Sequence, residues 1–240
     1  MSLIRSIKDI LLFLHIDLTK NLAYDRMTNA IMRRTIGKNT HCMDIGCHKG
    51  EILRKMLKLS PEGTHYGFEP IPRLYQELVN KYGTKAQIFP YAVSDKNGEA
   101  IFHIVENDLA YSGIHKRKYK TKNPIIHDIN VTLKSLDEIF PEDTPVGFIK
   151  IDVEGGEFDV LKGGEKLIRK NKPFIIFEFG LGASDYYGID PLEVYQFITE
   201  RLGLRLATLR TFLKKRAPLK AEDFKHLYET NKEYYFIACK

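Results

Sequence analysis

Seven residues, Asp44-Ile45-Gly46-Cys47-His48-Lys49-Gly50, have the types and spacing of a ligand-holding turn. They follow a strand-like run from His41 and lead into a helix-like run from Glu51 to Leu59, with Ile52, Leu53, Met56 and Leu57 as its apolar face. A strand that ends in a glycine-rich turn and opens a helix is how α/β proteins hold a nucleotide or nucleoside. The pattern here, Asp-x-Gly-x-x-x-Gly, lacks the closely spaced glycines that admit a pyrophosphate, so a dinucleotide dehydrogenase is disfavoured. It puts a carboxylate, Asp44, at the strand end instead. A carboxylate there suits a ligand with an amino group or a cation and repels phosphate. S-adenosylmethionine has an amino group, a sulfonium and no phosphate. An ordinary βα turn remains an equal reading of the motif taken alone.

Four predicted strands end in acids: Asp44, Glu69, Asp152 and Glu178. Around one crevice, all would face the same ligand edge. An acid at the end of the second strand accepts hydrogen bonds from both ribose hydroxyls in nucleotide folds, and Glu69 has the two oxygens this needs. Asp152 and Glu154 lie two apart, which in extended backbone puts them on one face. Together they could hold a substrate hydroxyl, and one of them could take its proton, since a like charge nearby raises a carboxylate's pKa. A divalent metal on Asp152, Glu154 and Glu178, all hard oxygen ligands, is the alternative use. Glu157 opens the next helix, where a negative charge suits the macrodipole.

The elements that must position these acids alternate. Strands are expected at His41–Asp44, Thr64–Glu69, Ala86–Val93, Val146–Asp152 and Phe174–Glu178, and a closing pair at Leu204–Leu209 and Tyr234–Cys239. Helices are expected at Glu51–Leu59, Ile71–Tyr82, Glu157–Ile168 (broken at Gly163-Gly164) and Pro191–Leu202. Near-continuous apolar strands point to a sheet covered on both faces. This is a doubly wound α/β order, with ligands at the carboxyl ends of the strands. Ala100–Val105 and Asn130–Leu133 read as edge strands flanking a polar loop, about residues 106–128, and a loop that long is usually functional.

Ahead of this lie two helical stretches, residues 3–17 and Leu22–Ile36, the second ending at Gly37. The first is amphipathic through Ile4, Ile7, Leu11, Leu14 and Leu18, and suits packing within the chain or a dimer or membrane-surface contact. The division expected is a helical cap over 1–36 and a main domain over 37–240. The chain has 240 residues, 43% apolar and 28% charged, with a net charge of +6, enough for one large domain. Three cysteines without a CxxC pair predict free thiols in a reducing, cytoplasmic setting, and no apolar run is long enough to span a bilayer.

Asp44-Ile45-Gly46-x-x-x-Gly50, Tyr66-Gly67-Phe68-Glu69-Pro70, Tyr91-Ala92-Val93-Ser94-Asp95 and Lys150-x-Asp152-x-Glu154-Gly155-x-Glu157-x-x-Val160-Leu161-x-Gly163 closely resemble the FkbM family of S-adenosylmethionine-dependent methyltransferases. The resemblance covers about residues 40–180 and is weak over 106–128. It implies a Rossmann-like, mostly parallel seven-stranded sheet with an antiparallel last strand, and O-methylation of a hydroxyl on a sugar, glycan or related molecule. It implies that Asp44, Gly46 and Gly50 cradle the methionine part of the cofactor, that Glu69 takes the ribose, and that Ala92 and Val93 lie by the adenine. Asp152 and Glu154 would then lie nearest the methyl. His48 and Lys49 fill variable positions in the motif.

The run His115-Lys116-Arg117-Lys118-Tyr119-Lys120-Thr121-Lys122 is the expected acceptor contact, suited to an anionic group on a nucleotide sugar or lipid-linked glycan. With Tyr111 and Tyr119 interleaved it also suits nucleic acid, although no RNA-binding motif such as RNP1 is present. A solvated surface loop and a non-catalytic cofactor-binding domain are the plainer alternatives. Oligomeric state is left open.

Overall fold

The computed structural model describes residues 20–119 and 121–240. The amphipathic stretch 3–17 and Lys120 of the basic run lie outside the described residues.

Short apolar runs form the centre because every side chain in them is buried. Strands β1 (Cys42–Ile45), β2 (His65–Phe68) and β7 (Phe148–Ile151) are buried throughout. With β3 (Gln87–Phe89), β8 (Phe174–Glu178), β9 (Arg205–Thr208) and β10 (Tyr235–Cys239) they make a seven-stranded sheet in the order β3-β2-β1-β7-β8-β10-β9. Pairing is parallel from β3 to β8; β10 runs antiparallel to both β8 and β9. The expected antiparallel last strand is therefore last in sequence but inserted one place in from the edge. Alternate residues feed opposite faces. Met43, Ile149, Phe177 and Phe236 join one core, while Cys42, Phe148, Ile176 and Ile237 join another.

The helices are α1 (Lys20–Thr35), α2 (Glu51–Leu59), α3 (Pro72–Tyr82), α4 (Leu136–Ile139), α5 (Glu157–Gly163), α6 (Glu165–Asn171), α7 (Pro191–Gln196), α8 (Leu209–Leu213) and α9 (Ala221–Glu229). Helix α1 packs Tyr24, Met27, Ile31 and Met32 directly onto the face that carries Phe148, Ile176 and Ile237. It stops at Thr35, and the Gly37 N–H is taken by Thr40 Oγ1 at 2.9 Å. The break expected at Gly163-Gly164 separates α5 from α6. Asp190 caps α7 by accepting the Leu192 N–H, and Pro191 follows it as the first helical residue.

Two sequence expectations change. Ala86–Val93 is not one strand, because Pro90 divides it; β3 stays in the main sheet and β4 (Tyr91–Val93) leaves it. A proline cannot donate to a ladder, so the run breaks there. Nor do the two later strands flank the main sheet. β5 (Gly98–Val105) and β6 (Ile126–Lys134) join β4 in a separate three-stranded sheet, order β4-β6-β5, with β4 parallel and β5 antiparallel to β6. The loop between them folds back, with a bridge between His103 and Gly113. Its Leu109, Ala110, Ser112 and Ile114 line a cavity together with Gly46, Glu69 and Asp152 from the carboxyl ends of the main strands.

Candidate active site

At the end of β1, Gly46 has φ +84°, and a Cβ there would collide with the backbone carbonyl of Asp152. The turn at β1 and the end of β7 thus approach as closely as backbones allow. Gly50, φ +72°, meets α3 instead, where a Cβ would lie 2.6 Å from Leu78 Cδ2. Asp44 is buried, and its Oδ2 accepts the Leu53 N–H at 2.9 Å. It ties β1 to the first turn of α2. Burial pushes its carboxyl up to about 7, against the pull of Lys150.

Glu69 is also buried, with Oε2 accepting the His48 N–H at 2.7 Å and Oε1 accepting the Ile71 N–H at 3.0 Å. These bonds fix its carboxylate across the end of β2. Burial raises it to about 7, and the two N–H donors oppose that rise.

A cavity of about 210 Å³ opens over these strand ends. Gly46, Glu69, Ala92, Val93, Asp152 and Glu154 all line it, with Ile114 and Ser112 of the long loop above. Of the residues expected at the cofactor, Asp44 and Gly50 do not line it; they shape the turn from behind. His48 and Tyr187 do line it, and His48 Nε2 and the Tyr187 hydroxyl are buried without a hydrogen-bond partner. An unpaired buried polar atom is costly, so two beside one cavity are what a polar ligand would satisfy. His48 sits in the left-handed region at φ +49°. Its motif position gave no sign of this, and Tyr187 follows β8 in a segment that carried no signal.

The run after β7 turns rather than extends. Glu154 has φ +60° and Gly155 φ +113°, so Asp152 and Glu154 do not share a strand face. Glu157 Oε1 accepts the Val153 and Gly155 N–H groups, closing this turn at the start of α5. Asp152 Oδ2 accepts from Lys150 Nζ at 2.9 Å and from the Tyr235 hydroxyl at 2.9 Å. Tyr235 pairs across the sheet with Glu178. Its hydroxyl thus stands between two of the predicted acids.

Arg117 does not point into solvent as its lysine-rich run suggests. Its guanidinium donates to Glu154 Oε2 at 2.5 Å, to the Ala110 and Gly182 carbonyls, and lies 4.6 Å from the Tyr111 ring centre. Burial and the Asp152 charge raise Glu154 to about 8 against the pull of Arg117. Glu178 is raised well above the carboxylate range by burial and by Asp152 and Glu154.

Glu178 does not line the first cavity. It lies in a second, of about 430 Å³, which Glu154 and Ala110 also line. Among the described residues, no group of three or more His, Cys, Asp and Glu side chains is arranged to hold a metal. Asp152, Glu154 and Glu178 therefore do not form the metal triad considered from sequence. No helix among the described residues is long and apolar enough to cross a membrane.

Residues 44–206 match the Methyltransferase FkbM domain. This chain belongs to the FkbM methyltransferase family. It is similar to the 2-O-methyltransferase NoeI of Sinorhizobium fredii (strain NBRC 101917 / NGR234), with 30% identity over 151 residues, 57% of this chain and 62% of that protein. Its fold is similar to the crystal structure of Methyltransferase FkbM from Methylobacillus flagellatus KT, at TM-score 0.51 and 16% identity, covering 84% of this chain and 44% of that one. The chain thus spans less than two thirds of either relative. The FkbM family expectation holds, as does the Rossmann-like sheet.

Proposed function

We propose that this protein transfers the methyl group of S-adenosylmethionine to a hydroxyl of a sugar, glycan or related small molecule. The observation that carries the reading is that one cavity gathers Gly46, Glu69, Ala92–Val93 and Asp152–Glu154 from four separate segments. The unpartnered His48 Nε2 and Tyr187 hydroxyl beside it support a polar occupant. The similarity to a 2-O-methyltransferase supports oxygen as the attacked-from atom.

When bound, the cofactor supplies a methyl group on a sulfonium; the O–C bond forms as the S–C bond breaks and its electron pair stays on sulfur. Glu69 accepts the ribose hydroxyls on its remaining lone pairs. Ala92 and Val93 present a small apolar wall to the adenine. Gly46 brings the β1 turn against Asp152, and His48 and Tyr187 supply polar partners. Glu154, the acid common to both cavities, takes the acceptor hydroxyl's proton. Asp152 Oδ2 accepts from two donors, Lys150 and Tyr235, against one on Glu154 Oε2, and Asp152 takes the positioning role. Much of the acceleration comes from holding the two reactants in line.

Calorimetry with S-adenosylhomocysteine and turnover with a sugar panel test this. Glu69→Ala should abolish binding, whereas Asp152→Asn and Glu154→Gln should bind and lose turnover. Normal binding by a folded Glu69→Ala variant would overturn the ribose assignment.

A further inference from the structure

The second cavity pairs its buried cation with an acid beneath the basic loop. Its walls include the tyrosines Tyr24, Tyr111, Tyr234 and Tyr235, with Arg117 and Glu178 between them. It meets the first cavity at Glu154 and Ala110. An in-line displacement needs its nucleophile on the side away from the sulfonium, so the incoming hydroxyl requires an approach of its own. The second cavity is the opening that reaches the acids from the other side of Glu154.

Arg117 is the one cation buried in that wall among the described residues, with 6% of its side chain exposed. Each of its contacts is already made: Glu154 Oε2, the Ala110 carbonyl at 3.2 Å, the Gly182 carbonyl at 3.3 Å, and the Tyr111 ring. Lys118, the other cation on the lining, is exposed at the rim, and its backbone N–H donates to the Tyr186 hydroxyl. Lys116 is exposed and turned to Asp128 at 3.8 Å. Deeper in, Glu178 faces the cavity with Asp152 behind it, joined through Tyr235. An anion that entered would have to displace Glu154 to gain Arg117. The tyrosine rings present apolar faces with polar edges, which suit the C–H face of a sugar ring.

We infer that this second cavity receives the acceptor and selects uncharged hydroxyl compounds, rejecting those with a carboxylate or phosphate beside the reacting hydroxyl, because among the described residues of its wall the Arg117–Glu154 pair leaves no buried cation to receive them. This rests on the methyl-transfer reading above, and it replaces the anionic acceptor expected from the lysine-rich run.

The 240-residue chain, supplied with S-adenosylmethionine labelled in its methyl group, is offered methyl hexopyranosides and di- and trisaccharides, each matched with its uronate and its 6-phosphate. The expected kcat/KM is at least tenfold lower for each anion than for its neutral partner. Tyr234→Ala should raise KM for the neutral acceptor about tenfold and leave S-adenosylhomocysteine affinity unchanged. An anionic member used as well as its neutral partner overturns the charge selection. A chain that binds S-adenosylhomocysteine but methylates none of the panel overturns the acceptor assignment alone. A chain that does not bind S-adenosylhomocysteine overturns the methyl-transfer reading, and this inference with it.

Discussion

The proposed cofactor cavity takes Gly46 and His48 from the turn after β1, Glu69 from the turn after β2, and Ala92 and Val93 from the end of β4 in the small sheet. The proposed acceptor cavity takes Tyr24 from α1, Tyr111 and Arg117 from the long loop, Glu178 from β8 and Tyr235 from β10. The first is held by backbone: N–H groups of His48 and Ile71 on Glu69, that of Leu53 on Asp44, and a glycine against a carbonyl. The second is held by side chains that reach across the fold, such as Arg117 to Glu154 and Tyr235 to Asp152. Backbone-held sites tolerate little change, whereas a side-chain-held site can change its partner by one substitution and leave the fold alone.

That difference is broken most severely at Gly46. An alanine there would clash with the Asp152 carbonyl and would need the left-handed region as well. Gly46→Ala should cost about 3 kcal/mol or more of stability and abolish S-adenosylhomocysteine binding. Thermal unfolding and calorimetry check both. A variant that melts and binds like the parent would mean that the β1 turn does not need this approach.

The same division explains what the sequence revealed. Strand ends and the glycine turn are local patterns, and the run after Lys150 is a dense local motif, so the acids of the main sheet were found. The break at Pro90 was missed, although a proline in a strand marks an edge or an end; it is where the chain passes from one sheet to the other. Tyr235 was missed because its role depends on antiparallel register against Glu178, which no local pattern fixes. The partners of Arg117 were not legible, because an arginine in a lysine-rich loop gives no sign of Glu154 and Gly182 until tertiary packing brings them to it.

Tyr235→Phe tests the side-chain-held region without disturbing the turn. It removes one hydroxyl that donates to Asp152 and faces Glu178. We expect kcat to fall on the order of 100-fold, since small displacements at a reacting centre have effects of that size. S-adenosylhomocysteine affinity should stay unchanged, and the pH profile of kcat should move, because Glu178 loses a hydrogen-bonding neighbour. If affinity fell as far as turnover, the two cavities would not be separable.

The smallest expected effect sharpens the comparison through pH. Asp44, Glu69 and Glu157 are each raised to about 7 by burial. The unfolded chain releases these protons first, from ordinary values near 4. Between there and about pH 7 the unfolded state binds fewer protons than the folded one, so the stability of the free protein should fall as pH rises across that window. Ligand binding should run the other way. Glu69 accepts from both ribose hydroxyls only when ionised, and at pH 6 about one-tenth of it would be ionised. S-adenosylhomocysteine affinity should therefore rise roughly tenfold from pH 6 to pH 8 while the melting temperature of the ligand-free chain declines. Glu69→Gln should flatten the affinity profile and leave the decline due to Asp44 and Glu157. A profile that stayed steep in that variant would move the titrating group away from the end of β2 and towards the acids around Glu154.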